Sequence, residues 1–151
     1  MQQLIDVILR DQKFYKLMPN YTVIDEKIYK EKNIYKVEAE IISSISRYKF
    51  LNKVLEKIVH KNLLHCYVYL DFIPDLYQIK LVVRPKFTDY FVFEGILYCH
   101  TDLTILNHTI TIQYSKTVEM AKRLFDKRIK ATILNQIESD IESLRVYLKN
   151  E

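Results

Sequence analysis

The chain has 151 residues, nearly half of them apolar, and a formal net charge of +4. That is enough for one domain, 1–151, with a real core, and too little basic excess for a protein that coats nucleic acid. Its single glycine, Gly95, excludes in their usual form the P-loop, the dinucleotide fingerprint, the kinase loop and the nucleophile elbow, all of which need several glycines for tight turns or close backbone approach.

Residues 2–18 predict a helix, with Pro19-Asn20 as its stop signal. Residues 21–29 and 33–42 read as strands forming a hairpin. In the second, Tyr35, Val37, Ala39 and Ile41 face one way while Lys36, Glu38 and Glu40 face the other. In 44–60, Ile45, Tyr48, Leu51, Leu55 and Ile58 recur at helical spacing and favour a helix, whereas alternation of Tyr48, Phe50, Asn52 and Val54 leaves a strand open. Four strands follow. Their inward rows are Leu64, Cys66, Val68, Leu70 and Phe72 in 64–72, then Tyr77, Ile79, Leu81 and Val83 in 76–85. In 89–100 the row is Phe91, Phe93, Gly95, Leu97 and Cys99, and in 104–114 it is Leu106, His108, Ile110, Ile112 and Tyr114. Short connections, among them Pro74-Asp75, predict antiparallel neighbours.

Residues 115–150 predict one long helix with Ser115 as N-cap. At full length it spans about 54 Å, against roughly 34 Å for a ten-residue strand, so it crosses the whole sheet. Its apolar row is Val118, Ala121, Phe125, Ile129, Ile133, Ile137, Ile141, Leu144 and Leu148. Most steps are of four residues, and each advances about 40° beyond a full turn. The row therefore walks around the helix. Either the helix bends near 130–135, or its second half packs on something different from its first.

An N-terminal helix, an antiparallel meander and a long C-terminal helix give an α+β chain: a curved sheet gripping a helix. Through Asp11-Gln12-Lys13-Phe14 and Pro19 before the first strand, and through 109–114 running straight into 115–148, this order of elements resembles the helix-grip fold of the START-like lipid-transfer superfamily. It is similar in particular to a fatty-acid carrier family from thermoacidophilic archaea. Members usually open with a strand, and this chain opens on the helix; a missing strand leaves one edge of the cavity open. The resemblance implies a non-enzymatic carrier that sequesters an apolar ligand, such as a fatty acid, between sheet and helix. The expected wall is Tyr35, Val37, Phe91, Phe93, Leu97, Ile110 and Ile112, with Phe125 and Ile129 from the helix. The alternatives are a solid-cored structural or partner-binding module, dimeric through the overhanging helix, and a weak nucleic-acid binder through the basic helix stripe.

Gly95 has two readings. It lets the sheet bend or the helix approach, or its missing side chain makes room for a ligand between Phe93 and Leu97. His108 is the polar member of an inward row. It reads as a core histidine satisfied by a neighbour, or as the partner of a head group in an otherwise apolar site. The four histidines, His60, His65, His100 and His108, lack metal-ligand spacing, so no metal or cofactor is expected. Glu38, Glu40, Glu94 and Asp71 fall on outward rows, which leaves no converging catalytic set. Lys116, Arg123, Lys127 and Lys130, widened by Arg128, form a basic stripe: a solvated face, or a surface for an anionic membrane or for phosphates. Tyr67 and Tyr69 have no Lys or Arg interleaved on their row, which weighs against single-stranded nucleic acid. No stretch reaches membrane-span length, no signal core begins the chain and two lone cysteines make no disulfide framework, so a cytoplasmic location is expected.

Overall fold

A computed structural model describes residues 1–43, 65–86 and 91–151, with Ala121 described without its side chain. The segment 44–60, with its helix-or-strand alternative, lies outside the described residues, as does Leu64.

The first helix, α1 (Gln2–Asp11), buries Leu4, Ile5, Val7 and Ile8 on one face. It is shorter than the pattern predicts. Gln12 turns left-handed at φ 53°, and its amide donates back to the Leu9 carbonyl at 2.8 Å. The apolar residues that follow belong to a separate short turn, Tyr15–Leu17. Glu26 from the first strand holds that turn: its Oε1 accepts the backbone N–H of Phe14 at 3.1 Å and of Tyr15 at 2.6 Å. Its other oxygen, Oε2, is buried with no partner among the described residues. Burial outweighs the two backbone bonds and raises the Glu26 pKa above its ordinary 4.5. A carboxyl whose pKa rises on folding favours the fold fully below its unfolded value, and that contribution is lost as pH rises through the folded value. Glu26→Gln keeps the accepting oxygen and mimics the protonated form. Its Tm relative to the parent protein will therefore rise between pH 4.5 and neutrality; a difference that stays flat with pH would remove Glu26 as the titrating group.

The strands β1 (Tyr21–Glu31), β2 (Ile34–Ser43), β3 (His65–Ile73), β4 (Gln78–Pro85), β5 (Phe91–Cys99) and β6 (Ile105–Tyr114) form one curved sheet in that order. All five pairings are antiparallel. The register lines up inward residues across strands. One row runs Val37, Leu70, Leu81, Gly95 and Ile110, and the next runs Tyr35, Phe72, Ile79, Leu97 and His108. Two inward rows differ from expectation. Tyr77 precedes β4 in a left-handed conformation (φ 50°) and is exposed. In β6 the pairing jumps from Tyr98–Asn107 to Cys99–Ile105. The extra residue, Leu106, is left 67 % exposed, and Ile105 takes the inward place beside Cys99.

The second helix, α2 (Glu119–Lys149), has 31 residues and a length of about 46 Å. Ser115 does not cap it. Lys116–Val118 form a tight turn first, Val118 stands at the cap, and the Ser115 hydroxyl is buried without a partner among the described residues. The walking apolar row resolves as different partners for the two halves. Val118 and Ile129 pack with Phe91, Phe93 and Ile112 in one cluster. Ile137, Ile141 and Leu144 join a larger cluster built from α1 and from inward residues of β2 to β5. Ile133 and Val83 touch both clusters.

Gly95 has an extended backbone, and an added Cβ would sit 3.8 Å from Leu81 Cβ and 3.9 Å from the Thr109 carbonyl, which is ordinary contact. Neither a left-handed turn nor a close backbone approach requires glycine there. Among the described residues, the left-handed positions are held instead by Gln12, Lys32, Tyr77 and Leu103.

Candidate ligand cavity

Where the second half of α2 passes over the sheet, a cavity of about 60 Å³ remains. Its floor is Leu70 and Phe72 of β3, Ile79 and Leu81 of β4, and Leu97 of β5. Its roof is Ile137, Ile141 and Leu144 of α2. Leu4, Phe14 and Met18 close the side toward the N-terminus, and Phe14 packs edge-on against Phe72 with ring centroids 5.4 Å apart.

Two lining residues carry polar groups, Tyr15 and Asp140. The Asp140 carboxylate accepts the Tyr21 hydroxyl through Oδ2 and the Gln136 amide through Oδ1 at 2.8 Å. The wall is thus hydrocarbon with one carboxylate at its margin.

Leu103 closes the remaining side. It is buried yet left-handed, at φ 70°. It also lines an outer cleft of about 740 Å³ with Tyr77, Asp102, Thr104, Arg145 and Lys149. Arg145 clamps this loop from the helix, donating Nε–H to the Asp102 carbonyl at 3.0 Å and Nη2–H to the Thr104 hydroxyl at 2.8 Å. Bonds from the Thr104 hydroxyl and backbone N–H lower the Asp102 carboxyl pKa to about 2.

Of the expected wall, only Leu97 lines this cavity. Phe91, Phe93, Ile112 and Ile129 are buried in the other cluster, with Phe125 packed against it. Tyr35, Val37 and Ile110 belong to the larger cluster, and Gly95 is buried between Leu81 and Ile110, outside the lining. His108 keeps the inward register opposite Leu97 but is exposed, because β6 is the edge strand and α2 packs on it at Ile112. It is therefore not a core histidine. Some of the other lining residues were already on apolar rows, Leu70, Phe72, Ile79 and Leu81 in the strands and Ile137, Ile141 and Leu144 in the helix, whereas Leu103 and Asp140 were on none. The drift of the helical row was the signal that the space opens under the second half of α2.

Other polar groups are engaged elsewhere. Glu38 accepts the Tyr29 hydroxyl at 2.6 Å. Glu40 lies 2.7 Å from His65 Nε2 and accepts Lys86 Nζ; the Lys86 bond and then His65 lower its pKa. Burial pushes the Cys66 thiol up to about 12 and also raises Cys99, so both are neutral thiols at neutral pH. Tyr67 stands between Glu40 and Arg84, and Tyr69 between Glu38 and Val82, which gives the outer face mixed charge. Among the described residues no group of three or more His, Cys, Asp or Glu side chains is placed to hold a metal, and no helix is long and apolar enough to cross a membrane. No family model, curated protein or solved structure matches the chain.

Proposed function

We propose that the protein is a helix-grip-type binder that sequesters an alkyl or acyl chain between its sheet and the second half of α2. The observation that carries this reading is the unfilled apolar space in the middle of the larger cluster. A void of 60 Å³ in a packed core costs about 1.4 kcal/mol, which hydrocarbon entering it returns. Each buried CH₂ adds about 0.8 kcal/mol. Asp140 at the margin selects the polar end: a hydrogen-bond donor such as an alcohol, an amine or a protonated acid fits there better than a carboxylate anion. The proposed activity is carriage, because the described lining is almost entirely hydrocarbon.

The volume favours a second reading, a close-packed interaction module. Pockets that enclose small molecules run to about 300 Å³ or more, and 60 Å³ is well short of that. Ligand entry therefore requires the wall to spread. Native mass spectrometry of the purified protein, followed by binding of hexadecanol and of palmitic acid to delipidated protein, separates the two readings. Leu70→Phe fills the space from the floor. Carriage predicts that wild type binds the alcohol more tightly than the acid at neutral pH, and that Leu70→Phe loses binding while its Tm stays level or rises. A wild-type protein that binds neither chain overturns carriage and leaves the packed module as the reading.

A further inference from the structure

We infer that the first half of α2 is a docking face for an anionic lipid surface. Residues 116–130 contain Lys116, Lys122, Arg123, Lys127, Arg128 and Lys130 against Glu119 and Asp126, a net +4 that equals the net charge of the whole chain. The remaining residues hold seventeen cations and seventeen acids. Of the two acids, Asp126 accepts the Tyr114 hydroxyl at 2.9 Å and pairs with Lys130 at 3.0 Å.

The same half-helix turns apolar side chains outward. Val118 and Ile129 are held against the sheet. On the opposite face Met120 is 74 % exposed and Leu124 66 % exposed. Positions 120, 124, 127 and 131 stack on one side of a helix, so Lys127 and Ala131 extend that face, and Arg123 and Arg128 flank it; all four are exposed. Two flexible apolar side chains at the centre of a cationic rim match the layout of a bilayer interface, where hydrocarbon lies beneath anionic head groups. Lys116 and Lys122, with Glu119, line a separate cleft of about 480 Å³ where β6 meets the helix, so cationic side chains also stand away from the apolar face.

Nucleic acid and a second copy fit less well. The outward face bears no aromatic side chain on which a base could stack, since Phe125 packs against the inner cluster. Two copies meeting through this face would bring net positive surfaces together. The inference does not depend on the cavity being occupied.

Co-sedimentation with phosphatidylcholine vesicles, and with vesicles of equal parts phosphatidylcholine and phosphatidylglycerol, tests it at low and high salt. Binding is expected on the anionic vesicles only, and weaker at high salt. Lys127→Gln with Arg128→Gln should reduce it roughly 30-fold at low salt. Met120→Ser with Leu124→Ser leaves the charge unchanged and should reduce it about tenfold with the salt dependence retained. All four side chains are exposed, so melting temperature should stay level and serves as the folding control. Equal binding to neutral vesicles, or no vesicle binding at low salt, overturns the proposal. So does tighter binding to a single-stranded oligonucleotide that survives Met120→Ser with Leu124→Ser, or self-association that those substitutions abolish.

Discussion

Phe72→Ala will destabilise the protein by about 4 kcal/mol, and a small hydrocarbon will return part of that loss. Phe72 is among the largest fully buried side chains and stands on the cavity floor, with Phe14 against its ring. Truncating a buried phenylalanine removes its transfer free energy and leaves a void that the surroundings only partly fill, a cost of about 3–5 kcal/mol. Here the new void adjoins 60 Å³ already empty, so collapse is harder and the upper half of that range applies. The merged space is apolar and suited to hydrocarbon rather than water. Urea melts with and without saturating benzene measure both effects, since a ligand that binds only the folded state raises stability in step with its concentration. A loss below about 1 kcal/mol would mean that Phe72 does not anchor this floor.

Leu103 reverses the usual order of small substitutions. At most buried positions alanine is better tolerated than glycine, because glycine frees the unfolded chain. At φ 70° a side chain costs about 1–2 kcal/mol in backbone strain, and glycine does not incur it. Both variants lose the buried leucine, about 2–5 kcal/mol, but Leu103→Gly will be at least as stable as Leu103→Ala. The carrier proposal adds a second expectation, that both release an alkyl chain faster than wild type, because Leu103 lines both the apolar cavity and the outer cleft. Denaturant melts of the pair, with stopped-flow release of a fluorescent alkyl probe, read out the two consequences. Alanine more stable than glycine would show that the left-handed loop is not retained in solution.

Much of the architecture was legible because it rests on periodicity. Alternation in β2, β3 and β5 put Val37, Ala39, Ile41, Cys66, Val68, Leu70, Phe72 and the row from Phe91 to Cys99 on the buried face. What alternation cannot see is a change of phase. The bulge at Leu106 and the left-handed Tyr77 each displaced one residue from its row. The breaks at Gln12 and Ser115 were hidden for a related reason. Left-handed residues are expected to be glycine, and this chain uses glutamine, lysine, tyrosine and leucine. Ser115 is the right residue type for a cap, but the tight turn at Lys116–Val118 starts the helix later. The cavity wall was harder to read, because its position depends on how α2 lies across the sheet. The expected wall drew Phe125 and Ile129 from the first half of the helix, and these pack in the smaller cluster rather than along this cavity.

The two halves of α2 are fastened to the sheet through two different clusters. Regions of a fold unlatch in cooperative blocks set by their buried contacts. The block holding Ile137, Ile141 and Leu144 roofs the cavity, while the block holding Val118 and Ile129 keeps the start of the helix on β5 and β6. Ile133 lies between them, packed against both, as does Val83 from β4. Loosening of the cavity roof therefore needs only one end of a single helix to move, with the other end still fastened to the sheet.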